Sequence, residues 1–136
     1  RVTIEDLPYI INDVLDYPKK NNKITIDSYV LTSAKTLKPS TALSMIIKDK
    51  LYQETASGDG QFDAFMNALK SIYQSINLKL PKLIDYSVRI PPGSDSDALC
   101  ETTITWDSGK KKFKTRGLDS DQTVAAIKAT EKMLNV

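Results

Sequence analysis

Residues 61–76 read QFDAFMNALKSIYQSI, and residues 123–134 read TVAAIKATEKML. In the first stretch Phe62, Phe65, Met66, Leu69, Ile72, Tyr73 and Ile76 recur at spacings of three and four, which predicts a helix with one apolar face. The second stretch is helical by the same test. Superimposing them sets Ala64 on Ala125, Met66 on Ile127, Ala68 on Ala129 and Ile72 on Met133. Small residues at matching points predict close packing of both helices. The segments ahead of each helix then decide the fold.

Working back from residue 61, three strand-like segments come into view. Ile24 to Ala34 is rich in β-branched and aromatic residues, and Lys38-Pro39-Ser40 punctuates the chain after it. Ala42 to Leu51 alternates, with Leu43, Met45 and Ile47 on one face; Asp49-Lys50 is a tight-turn candidate, and Leu51 to Ala56 makes a third strand. Before residue 123 the order recurs. Leu83 to Ile90 ends at Pro91-Pro92-Gly93, Leu99 to Trp106 runs into the hairpin turn Asp107-Ser108-Gly109, and Lys112 to Arg116 comes next. Gly117 to Asp121 leads into the second helix. Tyr52 falls on Phe113, and Asp27-Ser28-Tyr29-Val30 echoes Asp85-Tyr86-Ser87-Val88. Internal repetition of this kind fixes the architecture more firmly than any single element. It predicts an α+β fold of two repeated β-β-β-α units packed together, spanning about residues 23–78 and 79–136.

Ahead of the repeat, residues 4–15 (IEDLPYIINDVL) set Ile4, Leu7, Ile11, Val14 and Leu15 at helical spacing. Pro8 is tolerated only in a first turn, so this helix is expected to start near Asp6. Residues 1–22 thus read as a short helical connector, joined through Tyr17-Pro18 and a polar cluster to the domain at 23–136. The chain starts at Arg1, which suits a piece of a longer protein cut at a domain boundary, the connector leading from a catalytic region.

Composition narrows the chemistry. With 136 residues and 40% hydrophobic content the chain can bury one core. A net charge of +2 gives no reason to expect nucleic acid, and the run Lys110-Lys111-Lys112 with Lys114 reads as the guarded edge of a strand. No stretch approaches the ~20 apolar residues of a membrane span. The single cysteine, Cys100, forms no internal disulfide, which suits a reducing cytoplasm. Histidine is absent, which excludes Ser-His-Asp and Cys-His nucleophile systems and His-based metal sites. The acids Asp59, Asp63, Asp95, Asp97, Asp119 and Asp121 read as solvated loop and cap residues. No catalytic site and no metal site are expected in this stretch, and Trp106 and Cys100 read as core.

One junction stands out from its counterpart. Gly58-Asp59-Gly60 opens the first helix, with Asp59 or Gly58 at the N-cap, whereas Asp119-Ser120-Asp121 opens the second without glycines. The first N–H groups of a helix lack intrahelical partners and carry partial positive charge. A carboxylate could sit there while Asp59 and Asp63 accept from an ammonium group, which is the pattern a free amino acid presents. Aspartate before a helix is equally the ordinary cap, and glycines make turns. From these residues alone both readings stand. In the strand 83–90, Ile84, Tyr86, Val88 and Ile90 share a face, and Asp85 is out of place unless the strand lies at an edge.

Taken together, SGDGQFDAFMNALK (57–70), LIDYSVRI (83–90), SDALCETTITW (96–106) and RGLDSDQTVAAIKATEKMLN (116–135) resemble the C-terminal regulatory domain of the 2-isopropylmalate synthase family, which includes the citramalate synthases. The resemblance implies a full enzyme that condenses acetyl-CoA with a 2-oxo acid, using a divalent metal held in a barrel outside this stretch. It implies a homodimer that binds leucine as a feedback inhibitor, or isoleucine in a citramalate synthase. It places an effector pocket near the dimer interface between the βββα units. By motif, Gly58, Asp59, Gly60, Phe62 and Asp63 match its loop and helix start, and Leu83, Tyr86 and Ile90 its lining. Ala98 and Cys100 join them as wall residues. Leu83 breaks the face parity of Tyr86 and Ile90, so either the strand starts after it or the pocket wraps the strand end. A ligand-free dimerisation module is the remaining alternative.

Overall fold

The computed structural model describes residues 24–91 and 99–136. The connector expected over residues 1–22 lies outside them, as do Asp95, Asp97 and Ala98. The described residues fall into two compact units, one ending at Leu80 and the other starting at Pro81. Each is a three-stranded antiparallel sheet followed by one helix, so the repeat read from the sequence is the fold.

In the first unit β1 (Ile24–Ala34), β2 (Leu37–Ile47) and β3 (Lys50–Ser57) pair in that order, and α1 (Gln61–Ser75) crosses one face. The alternation on β2 directs Leu43, Met45 and Ile47 under α1, where they meet Phe65, Leu69 and Ile72; none of the six is more than 3% exposed. Each such side chain contributes about 1.5–3 kcal/mol by leaving water. α1 ends with Asn77 at φ 57°, the Leu78 N–H donating to the Tyr73 carbonyl and the Asn77 N–H to that of Gln74. This left-handed C-cap closes the helix as a glycine usually does.

Two turns differ from expectation. The first break falls at Lys35–Thr36, and Pro39 lies inside β2. A proline in a central strand is tolerated where the ladder is irregular, and the β1–β2 register shifts between Thr32 and Ala34, opposite this point. On the β3 side the Pro39 carbonyl still accepts the Gly58 N–H at 3.1 Å. The second turn is Lys48–Asp49, one residue earlier than read, with φ of 52° and 66°. Two left-handed residues make the type I′ turn whose twist matches a hairpin.

In the second unit β4 (Lys82–Arg89), β5 (Cys100–Asp107) and β6 (Lys112–Asp119) carry α2 (Gln122–Leu134). Ile104 and Trp106 are fully buried beneath it. The Trp106 indole donates to Thr115 Oγ1 at 2.9 Å, and that hydroxyl donates to the Ala129 carbonyl at 2.7 Å, tying both strands to the helix. β6 runs past the expected Arg116 and takes in Gly117. A Cβ at Gly117 would stand 1.9 Å from the Ala125 carbonyl oxygen, so only a glycine lets α2 lie this close. The alanines matched between the two helices, Ala64, Ala68, Ala125 and Ala129, are all fully buried. β4 and β6 are the sheet edges, which accounts for the exposed Asp85 and for exposed Lys112 and Lys114 flanking the buried Phe113.

Both first strands carry a bulge at the same point, Asp27 in β1 and Ile84 in β4. Past it Tyr29 opposes Leu43 and Tyr86 opposes Ile104, so the two tyrosines are equivalent. The echo of Asp27-Ser28-Tyr29-Val30 in Asp85-Tyr86-Ser87-Val88 is therefore out of step by one residue. A bulge inserts one residue and re-aims those beyond it.

Candidate functional site

The two glycines before α1 serve different ends. Gly58 is buried against the helix it precedes: a Cβ there would lie 2.6 Å from the Ala64 nitrogen and 2.8 Å from the Asp63 carbonyl carbon. It lets β3 and α1 meet. Gly60 is the N-cap, at φ −137° and ψ 175°, and a Cβ on it would meet nothing within 4 Å. The cap is thus Gly60, not Asp59 or Gly58, because the helix begins at Gln61. Asp63 reaches back, its Oδ2 accepting the Asp59 N–H at 3.0 Å, and occupies the first turn as an acid. The Asp59 carboxylate stands 3.7 Å from Lys38 Nζ with both side chains well exposed, a pairing that contributes little to stability.

The second junction is built otherwise. Asp121 caps α2 with its own carboxylate, Oδ1 accepting the Thr123 N–H at 2.8 Å and the Val124 N–H at 3.1 Å. Asp119 accepts the Asp121 N–H at 2.8 Å and meets Lys128 Nζ at 3.0 Å. These two contacts, the backbone one first, hold its carboxyl below the usual range. Among the described residues no side chain caps α1. Gly60 has no side chain with which to cap α1, whereas Asp121 caps α2 with its own carboxylate.

On the second unit the bulge at Ile84 settles the parity of β4. Leu83 pairs with Trp106 and Tyr86 with Ile104, which puts both on the face that α2 covers, and Cys100 at the start of β5 shares that face by alternation. Leu83, Tyr86 and Cys100 are all half-buried. Ile90 comes just after the end of the strand and is 62% exposed. Ala98 lies outside the described residues. The glycine-loop set and the β4–β5 set belong to different units, and each is described within its own.

A contrast between the units went unread in the sequence. α1 and α2 start at Gln61 and Gln122, so Phe62 and Phe65 correspond to Thr123 and Ala126. Phe62 and Phe65 stack at 6.1 Å, and Phe65 meets Tyr29 edge-on at the same distance, roofing β1. α2 brings no ring to β4. There Leu83 and Tyr86 stay half-buried, and Val88 is 36% exposed. On this strand Leu83, Tyr86 and Val88 thus share a partly exposed face. Comparing the helices by apolar spacing alone hid this, since alanine and phenylalanine count alike. Also missed were Thr41 and Thr102, equivalent positions on the two central strands, whose buried Oγ1 atoms have no hydrogen-bond partner among the described residues.

The family described as the LeuA allosteric (dimerisation) domain matches residues 1–136. The chain belongs to this family. A 2-isopropylmalate synthase of Methanocaldococcus jannaschii is 26% identical over 130 residues, covering 95% of this chain and 24% of the relative. A putative (R)-citramalate synthase of Methanosarcina mazei is 27% identical over 134 residues, covering 98% and 27%. A further putative (R)-citramalate synthase, from Archaeoglobus fulgidus, is 28% identical over 137 residues, covering 100% and 27%. The LeuA domain thus spans about a quarter of the length of these relatives. No helix among the described residues is long and apolar enough to cross a membrane.

Proposed function

We propose that this LeuA domain senses a free branched-chain amino acid and passes its occupancy to a synthase of which it is the regulatory part. The partly exposed face of β4 carries the proposal. Leu83 and Tyr86 lie on one half-buried face there, where α2 contributes no aromatic residue. A branched aliphatic side chain fills such a surface and leaves water in doing so. Within its own unit, the N-terminus of α1 presents backbone N–H groups of the kind that suit an anion, and Asp59 a carboxylate of the kind that suits a cation. Gly58, Gly60, Phe62, Asp63, Ile90, Ala98 and Cys100 complete the residues assigned to the effector.

Leucine is the leading effector, in a 2-isopropylmalate synthase. Isoleucine in a citramalate synthase is the second reading, favoured by relatives of that name at equal identity. The two isomers differ by the position of one methyl branch, which a pocket separates by a few kcal/mol at most. The whole protein would work as a homodimer in the cytoplasm and condense acetyl-CoA with a 2-oxo acid. The divalent metal would be held by residues outside this chain. Inhibition requires that the effector favour one state of the whole enzyme over another.

Calorimetric titration of the chain with leucine, isoleucine and valine tests the reading. Heat with leucine alone supports the first assignment, and heat with isoleucine alone the second. No heat with any of them leaves a dimerisation module and sinks the proposal. Gly60→Ala should weaken binding tenfold or more with the fold intact, since its methyl group enters open space where the ligand would sit. Normal binding by that variant reduces the loop to a cap.

A further inference from the structure

Each residue from Ser57 to Gly60, where β3 passes into α1, is held by a hydrogen bond. The Ser57 carbonyl accepts Asn67 Nδ2 at 2.9 Å, and the Gly58 N–H donates to the Pro39 carbonyl at 3.1 Å. The Asp59 N–H donates to Asp63 Oδ2 at 3.0 Å, and the Gly60 carbonyl accepts the Ala64 N–H at 2.9 Å. Asp63 and Asn67, which supply the side-chain bonds, stand one helical turn apart on α1 and share a face. The second unit repeats only the bond made by Asn67. Asn67 and Lys128 are both seventh in their helices, and Ser57 and Leu118 both stand four residues ahead of the helix start. Lys128 Nζ donates to the Leu118 carbonyl at 3.1 Å, the counterpart of the Asn67 bond. Val124 stands where α1 has Asp63. Instead, Asp119 and Asp121 hold that loop from within, accepting the Asp121, Thr123 and Val124 N–H groups. Gly58 and Gly60 occupy those positions in the first unit and have no side chain, so the helix holds the loop.

We infer that Asn67 is a positioning residue of the effector site: its amide fixes Gly58-Asp59-Gly60 in the shape the ligand meets. The inference rests on the effector reading and adds to it a residue that acts through the loop. A glycine loses more conformational freedom than any other residue when it is ordered, and this loop has a pair of them. Where that freedom is already lost in the folded chain, binding does not have to remove it, and affinity rises without a new contact. Asn67 is suited to the part. Its stem is short and half-buried, so the helix itself aims the Nδ2 donor. Lys128 is a looser version of the same device, its ammonium group shared between the Leu118 carbonyl and Asp119 Oδ1 at 3.0 Å. Asp63, already assigned to the effector, works beside Asn67 in the same way, with Oδ2 given to the Asp59 N–H.

The test uses the 136-residue chain and two measurements. In amide hydrogen exchange followed by NMR, Asn67→Ala should speed exchange of the buried Gly58 N–H about fivefold or more. Asn67→Lys, which supplies the donor used in the second unit, should restore the protection. In calorimetry with leucine and isoleucine, Asn67→Ala should weaken binding about fivefold or more. Lys128→Ala removes the equivalent bond of the second unit and should leave binding unchanged. Alanine is the best helix former, so both variants should keep their helices, which circular dichroism checks. A bond that served stability alone would shift the melting of both variants and the affinity of neither. Unchanged Gly58 exchange in Asn67→Ala overturns the inference, and so does faster exchange with full effector affinity. A wild-type chain that gives no heat with either amino acid overturns the effector reading and the inference together. Wild-type heat with an unaffected Asn67→Ala overturns the inference alone.

Discussion

Replacing Gly117 by alanine adds one methyl group where the chain has no room for it. That carbon would lie 1.9 Å from the Ala125 carbonyl oxygen, 2.7 Å from the Ala129 nitrogen and 2.9 Å from the Ala125 carbonyl carbon. All three are backbone atoms of one helix, so no side chain can swing aside. Relief comes only by lifting α2 from β6 by at least about 1 Å. Overpacking of this kind costs about 1–3 kcal/mol. The same displacement stretches the 2.7 Å bond from Thr115 to the Ala129 carbonyl, within a buried group that also holds the Trp106 indole. Leaving such a group unsatisfied costs about 1–3 kcal/mol more. The sum, roughly 2–6 kcal/mol, is a large part of the 5–15 kcal/mol that holds an ordinary domain together. Trp106 is the only tryptophan of the chain and is buried in the unit concerned, so its fluorescence in a urea titration reports that unit directly. Gly117→Ala should move the midpoint sharply down or abolish the transition, with Gly60→Ala as the neutral comparison. A loss under about 1 kcal/mol with native tryptophan emission would refute the claim that glycine is needed for the approach of α2.

Buried polar groups supply two further outcomes. Thr102→Val removes a hydroxyl that has no partner among the described residues and keeps the shape, so it should stabilise the chain by about 1 kcal/mol in the same urea titration. A loss of similar size would mean that the hydroxyl is satisfied in solution. Burial pushes the Tyr73 phenol up to about 12 from 10.0. The raised value makes its contribution complete below pH 10 and lost as pH rises toward 12, by at most about 2–3 kcal/mol. Tyr73→Phe should flatten that alkaline decline, and an unchanged slope in urea titrations across this range would count against it.

Repetition was visible in the sequence because it lies in what each residue type prefers. The period of α1 and α2, the β-branched runs of β1 and the turn at Asp107-Ser108-Gly109 can all be read one segment at a time. What escaped depends on pairs of segments. The bulges at Asp27 and Ile84 exist only relative to β2 and β5, and without them Leu83 seems to point the wrong way. Gly117 reads as a loop residue until a helix lies over it. Pro39 reads as a break until its missing donor is found opposite an irregular ladder. The Gly58-Asp59-Gly60 loop shows the limit most clearly. Its composition announced a junction, but not that one glycine serves packing and the other stands open.

The two units share a frame and divide the chemistry between them. Strand count, bulge position, the buried threonine of the central strand and the buried alanines of the helix recur in both. The residues that differ are those a duplicated frame is free to vary without unfolding. α1 spends two phenylalanines on closing β1 and has a glycine at its start; α2 closes its own N-terminus with Asp121 and leaves β4 half roofed. The sheet faces diverge likewise, one with Asp27 bound to Ser44 and the other carrying the Arg89–Glu101–Arg116 pairs. Each unit thus has one surface finished for water or core and one left open, and the open ones are not equivalent. If both units did the same work, a substitution would have the same consequence in either. Transplanting the roof tests this: Thr123→Phe with Ala126→Phe would cover β4 as β1 is covered. Calorimetry should then show the effector heat lost while sedimentation shows the dimer kept. Loss of both together would mean that sensing and association share one surface, and the division of work between the units would fail.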